Sequence, residues 1–209
     1  MDSTQLFTFI FTSVVVILSP GPDLIYALIT GLRANKRVII YTCLGFALGN
    51  IIHLFFFLIG IGVLVKSNPQ LARYIQYAGS AYLIYLGIKA FIHAKEPLLI
   101  GNENDTSERS HFKKAFIMNI LNPKVIIFFM AFFPQFINTK PTSLDELTQL
   151  IILGTIFIAL VFVIFSTLAF SISHIGMRLL QKSKIKTYFD YSVGILFIGL
   201  GLRIFFISL

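Results

Sequence analysis

Hydrophobic positions in this chain form six long runs separated by short polar stretches. Each run is close to or above the ~20 residues that an α-helix needs to cross a bilayer. No run alternates between apolar and polar residues with period two, so the pattern favours helices over strands. It predicts an all-α integral membrane protein with six transmembrane helices. The six runs cover residues 4–30, 38–65, 71–92, 112–137, 147–173 and 188–209.

Composition agrees with a membrane protein. Of the 209 residues, 56% are hydrophobic and only 12% are charged, whereas soluble domains carry about 25% charged residues. The mean hydropathy is +0.85. Because the apolar runs occupy most of the chain, we expect a single transmembrane domain over residues 1–209 and no separate soluble domain.

The formal net charge of +8 raises the question of an anionic partner. Most of the 17 lysine and arginine residues lie in or beside the first, third and fifth loops. Loops rich in lysine and arginine stay in the cytoplasm. The charge is therefore interpreted as a topology signal that places both termini outside, and no nucleic-acid partner is predicted.

The two halves of the chain carry similar strings. Tyr77 and Tyr191 are each followed, ten residues later, by a Gly–apolar–basic–X–Phe string, at residues 87–91 and 201–205. Three helices per repeat would insert the second repeat in the opposite orientation, which is a common plan of secondary transporters. We expect repeat one at about residues 1–92, a cytoplasmic linker at about 93–111 and repeat two at about 112–209. Chance similarity between apolar helices is the alternative.

Proline interrupts the first and fourth runs at corresponding places. The sequence is Ser-Pro-Gly-Pro-Asp at residues 19–23 and Asn-Pro-Lys at residues 122–124. Ser19 and Asn122 are good N-cap residues, each followed by proline, so each break is expected to begin a half-helix. Helix N-termini attract anions. A charge within the hydrocarbon is costly, about 2.5–3.5 kcal/mol even on insertion scales, so two such charges indicate a function.

Three roles are open for the charges of Asp23 and Lys124. The two could form a structural ion pair, bind the ammonium and carboxylate ends of a zwitterion, or, for Asp23, carry a coupling proton. The simpler interpretation of the breaks is that prolines only kink the helices. The predicted substrate-binding residues are Pro20, Gly21, Pro22, Asp23, Asn119, Asn122, Pro123 and Lys124, with Asp23 also predicted to be proton-coupling.

Further polar residues within the apolar runs are candidates for lining the same cavity. They are Asn50 and His53, which share a helix face, and Gln135. For His53, a proton relay and a hydrogen-bonded packing role are both open. Residues 45–49 (Gly-Phe-Ala-Leu-Gly) form a GxxxG string that could pack helices within one chain or between the subunits of a homo-oligomer.

Several of these motifs occur together in one known family. In the first half they are Ser-Pro-Gly-Pro-Asp and Leu-Gly-Phe-Ala-Leu-Gly at residues 44–49. In the second half they are Phe-Lys-Lys-Ala-Phe at residues 112–116, Asn119, Asn-Pro-Lys and Phe-Phe-Pro-Gln-Phe at residues 132–136. With these motifs the whole chain resembles the LysE/RhtB amino-acid exporters.

The resemblance implies a bacterial inner-membrane protein that exports amino acids or their derivatives and is driven by the proton gradient. Relatives that export lysine and arginine often carry an aspartate soon after the second Asn-Pro, where this chain has Val-Ile-Ile-Phe-Phe at residues 125–129. The homoserine, threonine and leucine branch is the nearer likeness. Asp23 stands where many relatives have asparagine.

The residues and the resemblance together predict export of a small neutral, zwitterionic amino acid by alternating access, without a cofactor or a metal. Two rival classes of protein would need other residue patterns. A divalent-metal or small-ion exporter would need clustered Asp, Glu, His or Cys ligands. An intramembrane enzyme would need a nucleophile with a base, or a phosphate-binding Arg/His cluster. The sequence shows neither pattern, and no enzymatic activity is predicted.

Overall fold

The computed structural model describes residues 3–67, 69–94, 107–137, 144–175 and 183–206. Regular structure in these residues is helical throughout. Between the sixth and seventh helices, the chain winds through a π-helical turn (Phe128–Phe132) and a 3-10 turn (Phe133–Phe136). The helices are α1 (Ser3–Leu18), α2 (Pro22–Arg33), α3 (Lys36–Ser67), α4 (Pro69–His93), α5 (Glu108–Ile120), α6 (Pro123–Ile127), α7 (Glu146–Ile175) and α8 (Ser183–Phe206).

The two predicted proline breaks are confirmed. Helices α1 and α2 meet at an angle of 66°, and α5 meets the segment from Pro123 to Phe136 at 47°. Proline lacks the N–H that would continue the helical ladder and clashes with the preceding turn, so each apolar run splits into two pieces. Helix α5 begins at Glu108, inside the predicted linker; residues 95–106 of that linker lie outside the described part of the chain.

Two helices are long and apolar enough to cross a membrane unbroken, over Lys36–Gly60 and Glu146–His174. The number rises to four when each bent pair counts as one span. The described residues therefore form an all-helical membrane protein with two to four candidate spans. The six spans expected from the sequence remain a prediction.

The GxxxG string packs α3 against α5 of the same chain. A Cβ placed on Gly45 would lie 2.5 Å from the carbonyl oxygen of Phe112, and one on Gly49 would lie 2.6 Å from the Oδ1 atom of Asn119. Only glycine lets the two backbones approach so closely. The motif therefore packs helices within one chain, which is one of the two roles that the sequence left open.

An aromatic core surrounds the segment that follows the second break. The ring of Phe128 stacks on Phe157 of α7 with centroids 4.7 Å apart, and Phe129 stacks on Phe133 at the same distance. Phe9 of α1 meets Phe133 edge-on at 5.4 Å. These offset and edge contacts are the favoured aromatic geometries. They hold the π-helical turn in place beside α1 and α7.

Helices α4 and α8 cross through small residues, and the contacts occur in corresponding pairs. A Cβ on Gly87 would lie 2.8 Å from the carbonyl oxygen of Gly194, and one on Gly201 would lie 2.9 Å from that of Ser80. Gly87 and Gly201 are 114 residues apart, and so are Ser80 and Gly194. Replacing each residue of one pair by its counterpart 114 positions away therefore gives the other pair. The order of the contacts along the two helices makes them antiparallel.

The aromatic residues of the repeated strings follow the same rule. Tyr77 meets Phe205 with ring centroids 5.2 Å apart, and Tyr191 meets Phe91 at 5.4 Å. Each pair becomes the other under the same shift of 114 residues. The tyrosines and phenylalanines found in the sequence therefore contact one another across the α4–α8 interface.

The close approach at this interface can be tested with two glycines of α8. Gly201→Ala forces a methyl group against Ser80 and Ile84, whereas a Cβ on Gly199 has no neighbour within 4 Å. Both substitutions give the same gain in helix propensity. We expect Gly201→Ala to be less stable than Gly199→Ala by about 1–3 kcal/mol, the usual cost of overpacking. Thermal unfolding of the detergent-purified variants measures the difference, and equal melting temperatures would contradict the packing.

Candidate functional site

The first break does not begin a helix where the sequence predicted. Helix α1 ends at Leu18, and the Ser19 hydroxyl donates back to the Val16 carbonyl at 2.6 Å. The N-cap of α2 is Gly21, which has extended backbone angles, and Pro22 takes the first helical position. The prediction of Ser19 as the N-cap is therefore wrong. The helix starts at the second proline of this break, Pro22, and not at Pro20.

The second break has the predicted cap. The Oδ1 atom of Asn122 accepts a hydrogen bond from the backbone N–H of Lys124 at 3.0 Å, and Pro123 stands at the first helical position. Both residues are the types favoured at these positions. The α-helix that follows has five residues before it passes into the π-helical turn.

Lys124 joins the two breaks. Its Nζ atom donates to the carbonyl oxygen of Ser19 at 3.2 Å and lies 3.1 Å from the Ser19 hydroxyl oxygen. A Cβ on Gly21 would come within 3.1 Å of the same nitrogen, so glycine gives the ammonium group room. The Lys124 side chain is only 6% exposed. Residues about 100 positions apart thus meet in the interior of the protein.

Asp23 is held by a different partner. Its Oδ2 atom accepts a hydrogen bond from the Nδ2 atom of Asn119 at 2.7 Å, and the side chain is 2% exposed. No direct salt bridge connects Asp23 to Lys124, although both side chains are described and buried. The opposite charges therefore occupy one region of the protein without being paired to each other.

Three buried side chains of this region keep a polar atom without a hydrogen-bond partner in the described structure. The carboxylate of Asp23 and the amide of Asn119 each retain an acceptor oxygen. Asn122 retains a donor, its Nδ2 atom. Burying a polar atom without a partner costs about 1–3 kcal/mol. Such atoms together mark a place that a polar ligand or water can satisfy.

The three secondary candidates differ in whether a hydrogen bond connects them to the site. The Nε2 atom of His53 lies 3.0 Å from the carbonyl oxygen of Asn119, which brings His53 to the site. Asn50 donates to the Phe46 carbonyl of its own helix at 2.8 Å, and its Oδ1 atom has no hydrogen-bond partner in the described structure. Gln135 donates to the Ala131 carbonyl at 2.9 Å within its own turn, and no bond connects it to the charged residues among the described contacts.

Two residues of the site were not among the predicted binding residues. Ser19 supplies both oxygens that hold the Lys124 ammonium group. Gly49 makes the space that Asn119 occupies. Ser19 could have been found from its position, since a carbonyl just before a proline break has lost its helical partners. For Gly49 the GxxxG string was the available signal.

This arrangement belongs to a recognised class of membrane protein. Two apolar helices broken at proline, with buried charged and polar groups meeting at the breaks, are how many secondary transporters build their central sites. A model of the LysE type translocators matches residues 14–207. The chain therefore belongs to the LysE type translocator family.

Curated relatives extend over nearly the whole chain. A leucine efflux protein from Enterobacter sp. (strain 638) is 28% identical over 200 residues, covering 94% of this chain and 93% of that protein. An uncharacterized membrane protein from Vibrio cholerae is 28% identical and covers 97% of both chains. The Bacillus subtilis membrane protein YrhP, also uncharacterized, is 29% identical, covering 95% of this chain and 97% of that one. No solved structure gives a significant match.

These bacterial relatives agree with the apolar helices. The chain is a multi-pass protein of a bacterial membrane. Its two charged breaks lie within the matched region, residues 14–207. The site described above therefore lies within the region that matches the family.

The cap of the second break yields a stability prediction. Asn122→Ala removes the acceptor of the Lys124 N–H bond, and we expect it to lower the free energy of unfolding by about 0.5–2 kcal/mol. Asn122→Ser keeps a capping oxygen and should lose much less. Thermal unfolding of the purified variants gives the comparison. A serine variant as unstable as the alanine variant would show that the cap is not what stabilises the break.

Proposed function

We propose that this protein is a secondary active exporter of small neutral amino acids in the bacterial inner membrane. The observation that carries the proposal is the pair of buried, opposite charges at the two breaks, each held by its own hydrogen-bond partner, with no direct salt bridge between them. An amino acid carries the same two charges a few ångströms apart. It can therefore match both ends of the site at once.

The ammonium end of the substrate would meet acceptors. Asn119 occupies Oδ2 of Asp23, which leaves Oδ1 of that carboxylate and Oδ1 of Asn119 itself without partners. The orientation of the Asn119 amide follows from its bond, because a carboxylate only accepts. A primary ammonium group can donate to the free Oδ1 of Asp23, whereas Oδ1 of Asn119 packs against Gly49 of α3.

The carboxylate end would meet donors. Lys124 supplies a positive charge, and the Nδ2 atom of Asn122 is a buried donor without a partner. Asn122 must present this nitrogen, because its oxygen already accepts the Lys124 N–H. Pro20, Gly21, Pro22 and Pro123 shape the two breaks around this space and keep the backbone out of regular helix.

The relatives support both the direction of transport and the class of substrate. One is named a leucine efflux protein, and leucine is a neutral zwitterion. The two breaks together supply one negative and one positive side chain, Asp23 and Lys124. No further acidic residue within the described site would favour a substrate with a cationic side chain. Export of a neutral amino acid is the function that both observations support best. A divalent-metal or small-ion exporter is the alternative.

An inverted three-helix repeat with alternating access is part of the proposal. The paired contacts between α4 and α8 support it, because they interchange under one residue shift while the helices run antiparallel. A two-fold axis in the membrane plane would produce that pattern. The basic odd-numbered loops would then lie in the cytoplasm and both termini outside.

Proton coupling through Asp23 completes the proposal. Asp23 is a buried carboxylate whose Oδ1 atom has no hydrogen-bond partner in the described structure and can take a proton. Ionisable groups inside a membrane commonly form proton pathways. A proton on Asp23 would remove the charge that holds the substrate ammonium group, and release of substrate would follow.

Efflux from proteoliposomes tests the proposal. We expect Asp23→Asn and Lys124→Ala to abolish counterflow of leucine and other neutral amino acids, because losing one charged partner at a desolvated site costs about 2–5 kcal/mol. Lys113→Ala is the matched control, since Lys113 is an exposed lysine of α5. A pH gradient should drive accumulation by the wild type.

Two results would count against it. Normal efflux from both purified charge variants would exclude the two breaks as the substrate site. Wild-type protein that moves a divalent metal ion but none of the amino acids would favour the alternative exporter. Size-exclusion profiles of each variant show that the folded protein is being compared.

A further inference from the structure

The second break removes a backbone hydrogen bond that the protein replaces with a histidine. In a regular helix the carbonyl of Asn119 would accept from the N–H of residue 123, but residue 123 is proline. Asn122 N–H donates to this carbonyl at 3.0 Å, and His53 Nε2 lies 3.0 Å away from it. A carbonyl only accepts, so Nε2 carries the hydrogen and donates. His53 thus supplies a bond that Pro123 cannot.

Two residues on one face of α3 hold Asn119. Gly49 and His53 are four residues apart, so they lie one above the other on the helix. Gly49 leaves space for the Asn119 amide, since a Cβ there would be 2.6 Å from its Oδ1 atom. The other end of that amide donates to Asp23 at 2.7 Å. A continuous chain of contacts therefore runs from α3 through Asn119 to α2.

We propose that His53 is a positioning residue for substrate binding: acting through Asn119, it fixes the Asp23 carboxylate so that Oδ1 faces the substrate ammonium group. This inference rests on the proposed function. The His53 ring is 8% exposed and stacks on Phe129 with centroids 6.0 Å apart. Asp23 is the charged group that faces it. The donor at Nε2 is sufficient for this role, and the ring does not need to change its charge.

Two substitutions separate the hydrogen bond from the ring and from its titration. His53→Phe keeps a ring that can stack on Phe129 but removes the donor. His53→Gln restores an N–H donor that cannot titrate near neutral pH. His174→Gln is the matched control, because His174 is exposed and bonds to the Phe170 carbonyl within its own helix.

Counterflow of leucine is measured in proteoliposomes for each variant, as KM and Vmax, from about pH 5 to pH 8, where histidine titrates. We expect His53→Phe to raise the KM about tenfold with a smaller change in Vmax, as for loss of one buried hydrogen-bond partner. His53→Gln should recover most of the wild-type KM and keep the wild-type pH profile. His174→Gln should match the wild type throughout.

Three outcomes would overturn the inference. A wild-type KM for His53→Phe would show that the donor does not matter. A flattened pH profile for His53→Gln would make the histidine a titrating relay instead of a positioning residue. Wild-type protein that moves no amino acid would remove the proposed function and this inference with it, whereas the first two results leave transport intact. If His53→Phe does not fold, the smaller His53→Leu takes its place.

Discussion

The structure depends on one constraint: a backbone group freed inside a membrane must find its partner in the protein, because the hydrocarbon offers no water. At the first break the carbonyl of Ser19 receives the ammonium group of Lys124. At the second, the carbonyl of Asn119 loses its helical donor to Pro123 and accepts instead from the backbone N–H of Asn122 and from His53. In each case one partner comes from another helix, so satisfying the backbone also assembles the polar centre.

This use of the polar residues keeps the two charges apart. Lys124 is held by Ser19 and Asp23 by Asn119, so the charges contribute to one region without forming a salt bridge. In a buried salt bridge the two charges would satisfy each other, and a zwitterion would have to displace that contact in order to bind. A site built from separately held charges avoids that displacement.

Local chemistry was visible in the sequence, but the partner that each buried side chain takes from a distant part of the chain was not. Asn122 was predicted as a cap and is one, because the capping bond reaches only two residues along the chain. Ser19 was assigned to the same role wrongly, since local preference does not decide which of Pro20 and Pro22 starts the helix. Gln135 was predicted to line the cavity but bonds within its own segment, which winds through π and 3-10 turns that the sequence pattern did not predict.

Small residues and polar residues form different interfaces in this fold. Helices α4 and α8 meet through backbone contacts at Gly87, Gly194 and Gly201, which leave no room for rearrangement at that interface. The broken helices instead meet through hydrogen bonds of single side chains, such as that of Lys124 to Ser19. Close-packed interfaces resist deformation, whereas a hydrogen bond can exchange one partner for another at a small net cost. Alternating access, as proposed, requires both kinds of contact.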